Sequence, residues 1–337
     1  MTSAFTTADT QPGTGGGAPS RGPLSVAVML PRDLPAEHFA RYARRAEELG
    51  FDELWVVEDL EFRGGIAQAA VALAVTERVR VGIGILPAAA RNVVFAAMEI
   101  ATLAELFPGR TDVGVGHGMP GWMRQAGAWP ESPLTLLEEH LTALRALLGG
   151  ERLDVAGRYV EVAGVRLASP PPVVPRLLAG VRGPRSLALA GRVADGTVLA
   201  EPVTPEYVAE VLRHLAAPGE HRLVGYAVAA VDADDGAARA AVRPGLAAIG
   251  EPDWAPHLAP LPFAADFAAL RDRCASGAEL ARTMPDAWVD QLAVTGTPAQ
   301  ARARLAELHR AGVDAMVLIP AGGGDPLAAL DSLAQVL

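Results

Sequence analysis

The fold is decided by the stretch LSVAVMLPRDLPAEHFARYARRAEELGFDELWVVED, residues 24–59. Its two ends, 24–31 and 52–59, are apolar runs of strand length, which is typical of strands that are covered on both faces. Between them Pro35 opens a helix whose apolar residues recur at helical spacing, and Gly50 ends it. A strand, a helix and a second strand of this kind predict parallel strands joined by a right-handed crossover.

The same unit repeats along the chain. Further strands are predicted at 79–86, 111–118, 174–181, 196–201, 223–232 and 313–320, with helices at 64–77, 93–107, 184–194, 205–217 and 298–311. Eight βα units fit a closed (βα)8 barrel, the TIM-barrel form of the α/β class, better than an open sheet. An open Rossmann sheet is the alternative, but it needs GxGxxG directly after the first strand, where this chain has Leu30-Pro31-Arg32-Asp33.

Three segments depart from the repeat. Residues 151–168 alternate polar and apolar around Gly157 and predict a small hairpin outside the barrel. Residues 244–290 carry Pro and Trp around short helices, and we expect an insertion that forms either a lid over the site or a layer against the barrel's flank. Residues 1–23, rich in Gly, Thr, Ser and Pro, predict a disordered leader before a single barrel domain at 24–337.

The charge balance argues against several classes of partner. The chain has 39 Asp and Glu against 29 Lys and Arg, and every basic residue is Arg. Because it is acidic and lacks a basic run, we expect neither nucleic acid nor an anionic membrane as partner, but a small-molecule substrate. No segment approaches the roughly 20 apolar residues that span a bilayer. The single cysteine, Cys274, excludes an internal disulfide and favours a reducing, cytoplasmic location.

Several common catalytic motifs are missing from the sequence. HExxH, CxxC, GxSxG and GxxxxGK[ST] do not occur, so we predict no metal, no thiol redox pair, no serine-hydrolase elbow and no Walker nucleotide site. Since the chain has no lysine, Schiff-base chemistry and attachment of pyridoxal phosphate are excluded as well. These exclusions remove several reactions that barrels often carry.

Two carboxylates end the second predicted strand. Glu58 and Asp59 lie at its carboxyl end, where barrel enzymes place their chemistry. Because side chains alternate along a strand, we expect one of the two to face the mouth of the barrel. The alternative is that both are solvated loop acids.

Glycines mark the third and fourth predicted strands. Gly82 and Gly84 indicate a bulge or a close approach to the backbone, or else a kink that helps the barrel to close. In VGVGHG, residues 113–118, every second residue is Gly, so a flat ring could lie against a face without side chains. His117 in this run is a candidate for proton transfer, with a structural hydrogen bond as the alternative.

A phosphate site is predicted at the end of the fifth barrel strand, in the run Gly180-Val181-Arg182-Gly183-Pro184-Arg185. Glycines let backbone N–H groups point at one oxyanion, Pro184 suits the first helical turn, and the helix dipole attracts negative charge. Arg182 or Arg185 could neutralise the remaining charge. The alternative is an ordinary loop between a strand and a helix.

Five stretches resemble the bacterial-luciferase superfamily of flavin and deazaflavin oxidoreductases, and within it the branch typified by methylenetetrahydromethanopterin reductase. They are GFDELWVVED (50–59), VRVGIGILPAAARN (79–92), IATLAELFPGRTDVGVGHG (100–118), LLAGVRGPRSLALAGRVADGTVL (177–199) and TGTPAQARARLAELHRAGVDAMVLIP (295–320). The resemblance implies an oxidoreductase that passes hydride from reduced deazaflavin coenzyme F-420 to a C=C or C=N bond. The alternatives are an FMN-dependent monooxygenase and a barrel that has lost its cofactor. The Arg- and Ala-rich composition is typical of actinobacteria, which make F-420.

The resemblance also implies roles for particular residues. A non-proline cis peptide is expected at Gly84-Ile85 behind the cofactor ring, and Asn92 lies where a polar side chain meets the deazaflavin head. Three further residues would line the ring, and the loop from Gly180 to Pro184 would bind the cofactor phosphate. The ring-lining residues are Gly116, His117 and Gly118.

The chain departs from this family's pattern at the second strand. Many relatives have Asp-His at its tip, whereas this chain has Glu58-Asp59. The proton donor is therefore expected to be Asp59, Glu58 or His117, and a carboxylic acid could serve only if burial raised its pKa. The resemblance further implies a homodimer formed through the helices of the second and third units.

Overall fold

Parallel strands that close into a ring form the centre of the computed structural model, which describes residues 22–322 and 324–337. In chain order the strands are β1 (Ser25–Met29), β2 (Glu53–Val56), β3 (Arg80–Pro87), β4 (Thr111–Gly116), β5 (Leu153–Ala156), β6 (Glu161–Val165), β7 (Arg176–Gly180), β8 (Gly196–Leu199), β9 (Arg222–Val231), β10 (Val294–Gly296) and β11 (Ala315–Pro320). Eight of them, β1 to β4, β7, β8, β9 and β11, form the ring, which closes where β11 pairs with β1 and β8 with β9. The predicted (βα)8 barrel is confirmed, and the alternative of an open sheet is wrong.

Helices follow the barrel strands and cover them. They are α1 (Phe39–Leu49), α2 (Gly65–Ala74), α3 (Val93–Leu106), α4 (Pro120–Gln125), α5 (Pro133–Leu148), α6 (Pro184–Val193), α7 (Pro205–Leu215), α8 (Asp235–Val242), α9 (Ala255–Leu258), α10 (Ala264–Arg273), α11 (Gly277–Thr283), α12 (Asp286–Leu292), α13 (Pro298–Ala311) and α14 (Pro326–Leu333). Local sequence explains their ends. Gly50 ends α1 with a φ of 95°, and Thr297 and Gln300 form a reciprocal capping box at the start of α13.

Two apolar layers hold the barrel together. Inside the ring a small cluster is built around the buried Trp55 and Tyr226, whose rings meet edge to face with centroids 5.9 Å apart. A much larger cluster fills the space between the strands and the surrounding helices. Within the described residues, none of the helices combines the length and apolarity that crossing a bilayer requires.

Paired charges close the amino-terminal end of the barrel. The buried carboxylate of Asp112 accepts hydrogen bonds from Arg80 Nη2 at 2.6 Å and from Arg176 Nε at 3.0 Å. Glu53, also buried, is bound by Arg222. Guanidinium groups thus compensate the carboxylates that this end of the barrel removes from water.

The segments outside the repeat take distinct places. Strands β5 and β6 form an antiparallel pair inside 151–168. The 244–290 segment contains α9 to α12 and has an apolar core of its own, in which Phe263 stacks on Trp288 with ring centroids 4.8 Å apart. The predicted leader, residues 1–23, lies outside the described residues except for its last two.

Candidate active site

The mouth of the barrel, by which we mean the carboxyl ends of the ring strands and the loops that follow them, contains a bulge in β3. The pairing of β3 with β4 shifts register between Ile83 and Leu86, and the Gly84–Ile85 peptide within this interval is cis, as the resemblance implied. Ile85 is half-buried. The bulge therefore presents an apolar side chain at the mouth.

Three glycines on neighbouring strands make room for Ile85. A Cβ atom would lie 2.8 Å from the Ile85 side chain at Gly114, 3.0 Å from it at Gly116 and 2.6 Å from it at Gly180. The bare face of β4 is thus filled by Ile85, which comes from the adjacent strand. A ring at this place would meet the Ile85 side chain and not the glycine backbone.

The floor of the mouth has an unpartnered hydroxyl group. Tyr226 in β9 is buried, and its Oη has no hydrogen-bond partner among the described residues. A Cβ on Gly84 would collide with this oxygen, which places the hydroxyl directly against the bulge. Burial raises the pKa of Tyr226, and the negative charges of Glu201 and Asp59 raise it further. The hydroxyl is therefore a donor or acceptor that no described side chain uses.

The two acids at the end of β2 have different partners. Glu58 accepts two hydrogen bonds from Arg91, at 2.5 and 2.6 Å, and one from the Gly65 N–H at 2.6 Å, where α2 begins. Asp59 instead pairs with Arg32 Nη1 at 2.6 Å, and the Arg32 guanidinium lies 4.8 Å from the centre of the Phe62 ring. Glu58 thus joins α2 to the loop before α3, whereas Asp59 belongs to a more exposed ion pair.

His117 connects the end of β4 to the start of α6. Its Nε2 lies 3.0 Å from the hydroxyl of Ser186. Burial lowers the pKa of His117, and a hydrogen bond with the backbone of Pro133 opposes this in part. The imidazole is therefore neutral near pH 7, and it carries no surplus proton to donate.

The predicted phosphate loop leads into an open helix end. Gly183 is the N-cap of α6, no described side chain caps this helix, and a Cβ on Gly183 would meet nothing within 4 Å. Arg185 in the first turn is exposed. Val181 is buried in the core. Backbone N–H groups and a guanidinium are thus accessible to an anion at this end of α6.

Arg182 is engaged by the insertion. Its Nη1 donates to the carbonyl oxygen of Asp253 at 3.1 Å, and its guanidinium lies 4.7 Å from the Trp254 ring centroid. Trp254 Nε1 also donates to the carbonyl oxygen of Glu201 at 2.8 Å, and His257 Nδ1 lies 3.1 Å from that of Pro202. The first part of the insertion therefore borders the mouth, while the rest packs on its own core.

Glu201 and Asn92 complete the site. Glu201 follows β8, its side chain forms no ion pair with the described residues, and burial raises its pKa although the nearby Arg182 lowers it. Sequence reasoning missed Glu201, although it lies at a strand tip like Glu58 and Asp59. Asn92 is exposed and caps α3, because its Oδ1 accepts the Val94 N–H at 2.9 Å. The described residues contain no cluster of three side chains suited to a metal ion.

Comparisons with known proteins agree with this architecture. A family model described as luciferase-like monooxygenase matches residues 3–315. The chain is 30% identical over 301 residues to a 5,10-methylenetetrahydromethanopterin reductase of Methanolobus tindarius, covering 86% of this chain and 91% of that protein. It is 33% identical over 207 residues to an F-420-dependent glucose-6-phosphate dehydrogenase of Beutenbergia cavernae, covering 58% and 60%.

Solved structures share the fold. The coenzyme F-420-dependent tetrahydromethanopterin reductase of Methanopyrus kandleri superimposes with a TM-score of 0.79 at 20% identity, covering 94% of this chain and 99% of that one. A monooxygenase from Streptomyces bottropensis gives a TM-score of 0.71 at 20% identity, covering 93% and 98%. At this level of identity the two likenesses establish the barrel and its connectivity.

Proposed function

The chain belongs to the luciferase-like monooxygenase family, and we propose that it is an oxidoreductase that uses reduced coenzyme F-420 to reduce a C=C or C=N bond of a small organic substrate. One observation carries the proposal: the half-buried Ile85 projects from the β3 bulge at the same mouth as the uncapped start of α6. An apolar support beside an anion site suits a ligand that combines a flat ring with a phosphate.

The residues present fit such a group. Ile85 would support the ring, with His117 and Gly118 at its border. The N–H groups at the start of α6, together with Arg185, would hold the phosphate. The unpartnered Tyr226 hydroxyl and the open space at Gly183 are what a site built for a ligand leaves unsatisfied in the protein alone.

The protein's own contribution is position and environment. When bound, the deazaflavin supplies the hydride. Arg91 fixes Glu58 and with it the loops around the mouth, while Arg32 and Asp59 place a charged pair at its rim. The insertion residue Trp254 borders one side of the mouth through its contacts with the Glu201 carbonyl and the Arg182 guanidinium. We therefore assign Glu58 to positioning and leave Asp59 as an acid near the substrate.

The names of the relatives favour F-420 over FMN, since the Beutenbergia cavernae protein is named an F-420-dependent enzyme. FMN-dependent monooxygenation is the second candidate, because a monooxygenase is among the structures that share the fold. Fluorescence quenching titrations with F-420 and with FMN separate the two. We expect F-420 to bind and FMN not to; tight binding of FMN without F-420 would overturn the proposal, and binding of neither would indicate a barrel that has lost its cofactor.

Turnover is the second part of this test. Oxidation of reduced F-420 can be followed by absorbance against a panel of imines and activated alkenes, with the Arg185→Ala variant beside Arg192→Ala as control. We expect Arg185→Ala to weaken F-420 binding about tenfold, as for one lost charge-assisted contact of about 1.4 kcal/mol. Arg192 lies at the other end of α6, so its variant should bind as the wild type does.

We also propose a homodimer in the cytoplasm. Large apolar side chains are exposed on α2 and α3, namely Val71, Phe95, Met98 and Leu106. Contiguous exposed apolar surface marks interaction sites, and the family resemblance implies a dimer through these helices. Light scattering after size-exclusion chromatography should give twice the chain mass for the wild type and the chain mass for Phe95→Glu. A monomeric wild type would contradict the dimer.

A further inference from the structure

The carboxyl group of Glu201 is the least compensated acid at the mouth. We propose that Glu201 is the catalytic acid that donates the proton when the substrate accepts a hydride. The inference rests on the proposed function, which it deepens by naming a residue that neither the family resemblance nor the comparisons assign. It stands on the position of Glu201, on its neighbours and on the engagement of the rival acids.

The main chain of Glu201 is held by a hydrogen bond from the insertion, whereas its side chain forms no ion pair with the described residues. The Glu201 carbonyl oxygen accepts the Trp254 Nε1–H at 2.8 Å, and the next carbonyl, that of Pro202, lies 3.1 Å from His257 Nδ1. Both contacts use the backbone and would survive a change of the side chain. The fold thus fixes the loop after β8 through these two carbonyl contacts, while the carboxyl group hydrogen-bonds with the backbone of Glu201 itself.

The groups that face Glu201 come from four loops or strands. Arg182 follows β7, Arg32 follows β1, Asp59 follows β2, and Tyr226 lies in β9. Arg182 is held by Asp253 and Trp254, and Arg32 by Asp59, so neither guanidinium forms an ion pair with Glu201.

These surroundings favour the protonated carboxyl. Burial is the main cause that raises the pKa of Glu201; a hydrogen bond with its own backbone and the positive charges of Arg182 and Arg32 lower it, and Asp59 raises it. The net shift is upward. A carboxylic acid with a raised pKa keeps its proton closer to neutral pH, which is what a general acid requires.

The other titratable groups that could donate a proton at the mouth already have partners or are neutral. Glu58 receives hydrogen bonds from Arg91 and from the start of α2 on both of its carboxyl oxygens. Asp59 is the anion of an ion pair with Arg32 at 2.6 Å. His117 is neutral because burial lowers its pKa. Among the acids and the histidine that we place at the mouth, Glu201 is left as the proton donor. The Tyr226 hydroxyl also lies there, but burial raises its pKa further, so it is a much weaker acid than a carboxyl group.

The step balances as a reduction. One atom of the substrate's C=N or C=C bond receives hydride from the reduced coenzyme, and the π electrons move to the other atom. That atom takes the proton of Glu201, so a new N–H or C–H bond forms as the carboxyl O–H bond breaks. The substrate is reduced, the coenzyme is oxidised, and Glu201 is left as a carboxylate that water at the mouth reprotonates.

Infrared spectroscopy tests the protonation state without turnover. The cofactor-free wild type, Glu201→Gln and Glu251→Gln are prepared with 13C-labelled glutamate and compared near pH 7. Glu251 is an exposed residue within the 244–290 insertion and serves as the matched control. We expect a protonated-carboxyl band in the wild type and in Glu251→Gln that is absent from Glu201→Gln. A wild type without the band, or a band that persists in Glu201→Gln, would overturn the proposal.

Kinetics with reduced F-420 and an imine or alkene of the panel that the wild type reduces provide the second test. Glu201→Gln should lower kcat about 10²–10⁴-fold, the usual effect of losing a general acid, with F-420 affinity unchanged. Since the protonated form is the active one, wild-type kcat should fall as pH rises through the Glu201 pKa, and this fall should be lost in Glu201→Gln. Glu201→Asp, which keeps an acid, should recover part of the rate.

Two further outcomes separate the possible failures. If the wild type binds and oxidises reduced F-420 but Glu201→Gln does so equally well, the proton-donor assignment is wrong and the proposed function stands. If Asp59→Asn instead removes the pH dependence, Asp59 is the donor. If the wild type binds no F-420, the proposed function itself fails.

Discussion

The two ends of the barrel differ in how they pair acidic side chains. At the amino-terminal end, Asp112 is bound by Arg80 and Arg176, and Glu53 is bound by Arg222. At the carboxyl-terminal mouth, Glu201 has no ion pair, the Tyr226 hydroxyl has no partner, and α6 has no side-chain cap within the described residues. At the first end the carboxylates are paired within the protein, although Arg80 Nε, Arg222 Nε and Thr111 Oγ1 have no hydrogen-bond partner there among the described residues. The mouth instead keeps a carboxyl group without an ion pair and a helix end without a side-chain cap, both open to a ligand.

This difference shows which end supports the fold and which supports the chemistry. A partly buried carboxyl group without an ion pair costs stability, so it points to function when it lies where a ligand would bind. In (βα)8 barrels the carboxyl ends of the strands hold the active site and the amino ends contribute to stability. Substitutions at the two ends should therefore change different measured quantities, which the following predictions use.

The largest effect is expected from Asp112→Ala at the amino-terminal end. Removing this carboxylate leaves two guanidinium groups without their buried partner, and the free energy of unfolding should fall by about 3–5 kcal/mol. Urea denaturation measures it, with the exposed Asp154→Ala as control, which should change stability by less than about 0.5 kcal/mol. F-420 affinity of the folded fraction should stay the same. A large loss of F-420 affinity would contradict the assignment of the amino-terminal end to stability and of the mouth to ligand binding.

The next effect is expected from Gly180→Ala at the mouth. The new methyl group would lie 2.6 Å from Ile85 Cγ2, so Ile85 must move. We expect F-420 affinity to fall at least about tenfold, while stability falls by about 1–3 kcal/mol, as overpacking usually costs. Gly219→Ala is the matched control, because a Cβ there meets nothing within 4 Å. Unchanged affinity in Gly180→Ala would contradict the role of Ile85 as the ring support.

The glycines illustrate what the sequence could and could not predict. Apolar runs and helical spacing were enough for the barrel, since each is a local property of the chain. The alternation of Gly114 and Gly116 indicated a face without side chains against which a flat ring could lie, but Ile85 fills that face. Its occupant, Ile85, comes from the bulge of another strand, so no local pattern could identify it.

The charged residues of the mouth also show that contacts between distant segments cannot be identified from local patterns. Arg182 lies in the loop that was predicted to bind phosphate, but its partners Asp253 and Trp254 come from an insertion about 70 residues away, a separation over which the sequence gives no pairing. Glu201 was different, because a carboxylate at a strand tip is visible in the sequence. The same position at a strand tip that marks Glu58 and Asp59 therefore marks Glu201 as well.

Low pH should lower the stability of the protein through two buried histidines, His257 and His140. Burial lowers the pKa of His257 to about 3 and that of His140 to about 4, with the charges of Arg182 and Arg91 acting in the same direction. Between these values and the ordinary histidine pKa near 6.5, the unfolded chain binds protons that the folded chain does not. Stability should therefore fall as pH decreases from about 6 to about 4, by about 1.4 kcal/mol per pH unit for each histidine.

Denaturation at several pH values checks this expectation. His257→Phe should remove the contribution of one histidine to the slope, while His38→Gln, at a partly exposed position before α1, should leave the slope as it is. The added proton would lie on Nε2, which is buried and has no partner among the described residues, while Nδ1 keeps its contact with the Pro202 carbonyl, so the loss of stability comes from burying the charge. If the free energy of unfolding depends on pH in His257→Phe as it does in the wild type, His257 does not cause the loss of stability at low pH.

The smallest effect concerns Asn92, where capping of α3 and binding of the cofactor can be tested separately at one position. Its Oδ1 caps α3 by accepting the Val94 N–H at 2.9 Å, whereas the family resemblance gives its amide to the cofactor. Asn92→Asp keeps the cap and removes the amide donor, while Asn92→Ala removes both. If Asn92 serves both roles, Asn92→Asp should keep the wild-type stability but weaken F-420 binding, and Asn92→Ala should also cost about 1 kcal/mol. Wild-type affinity in both variants would assign Asn92 to the helix alone and place it, despite its location near the mouth, among the residues that support the fold.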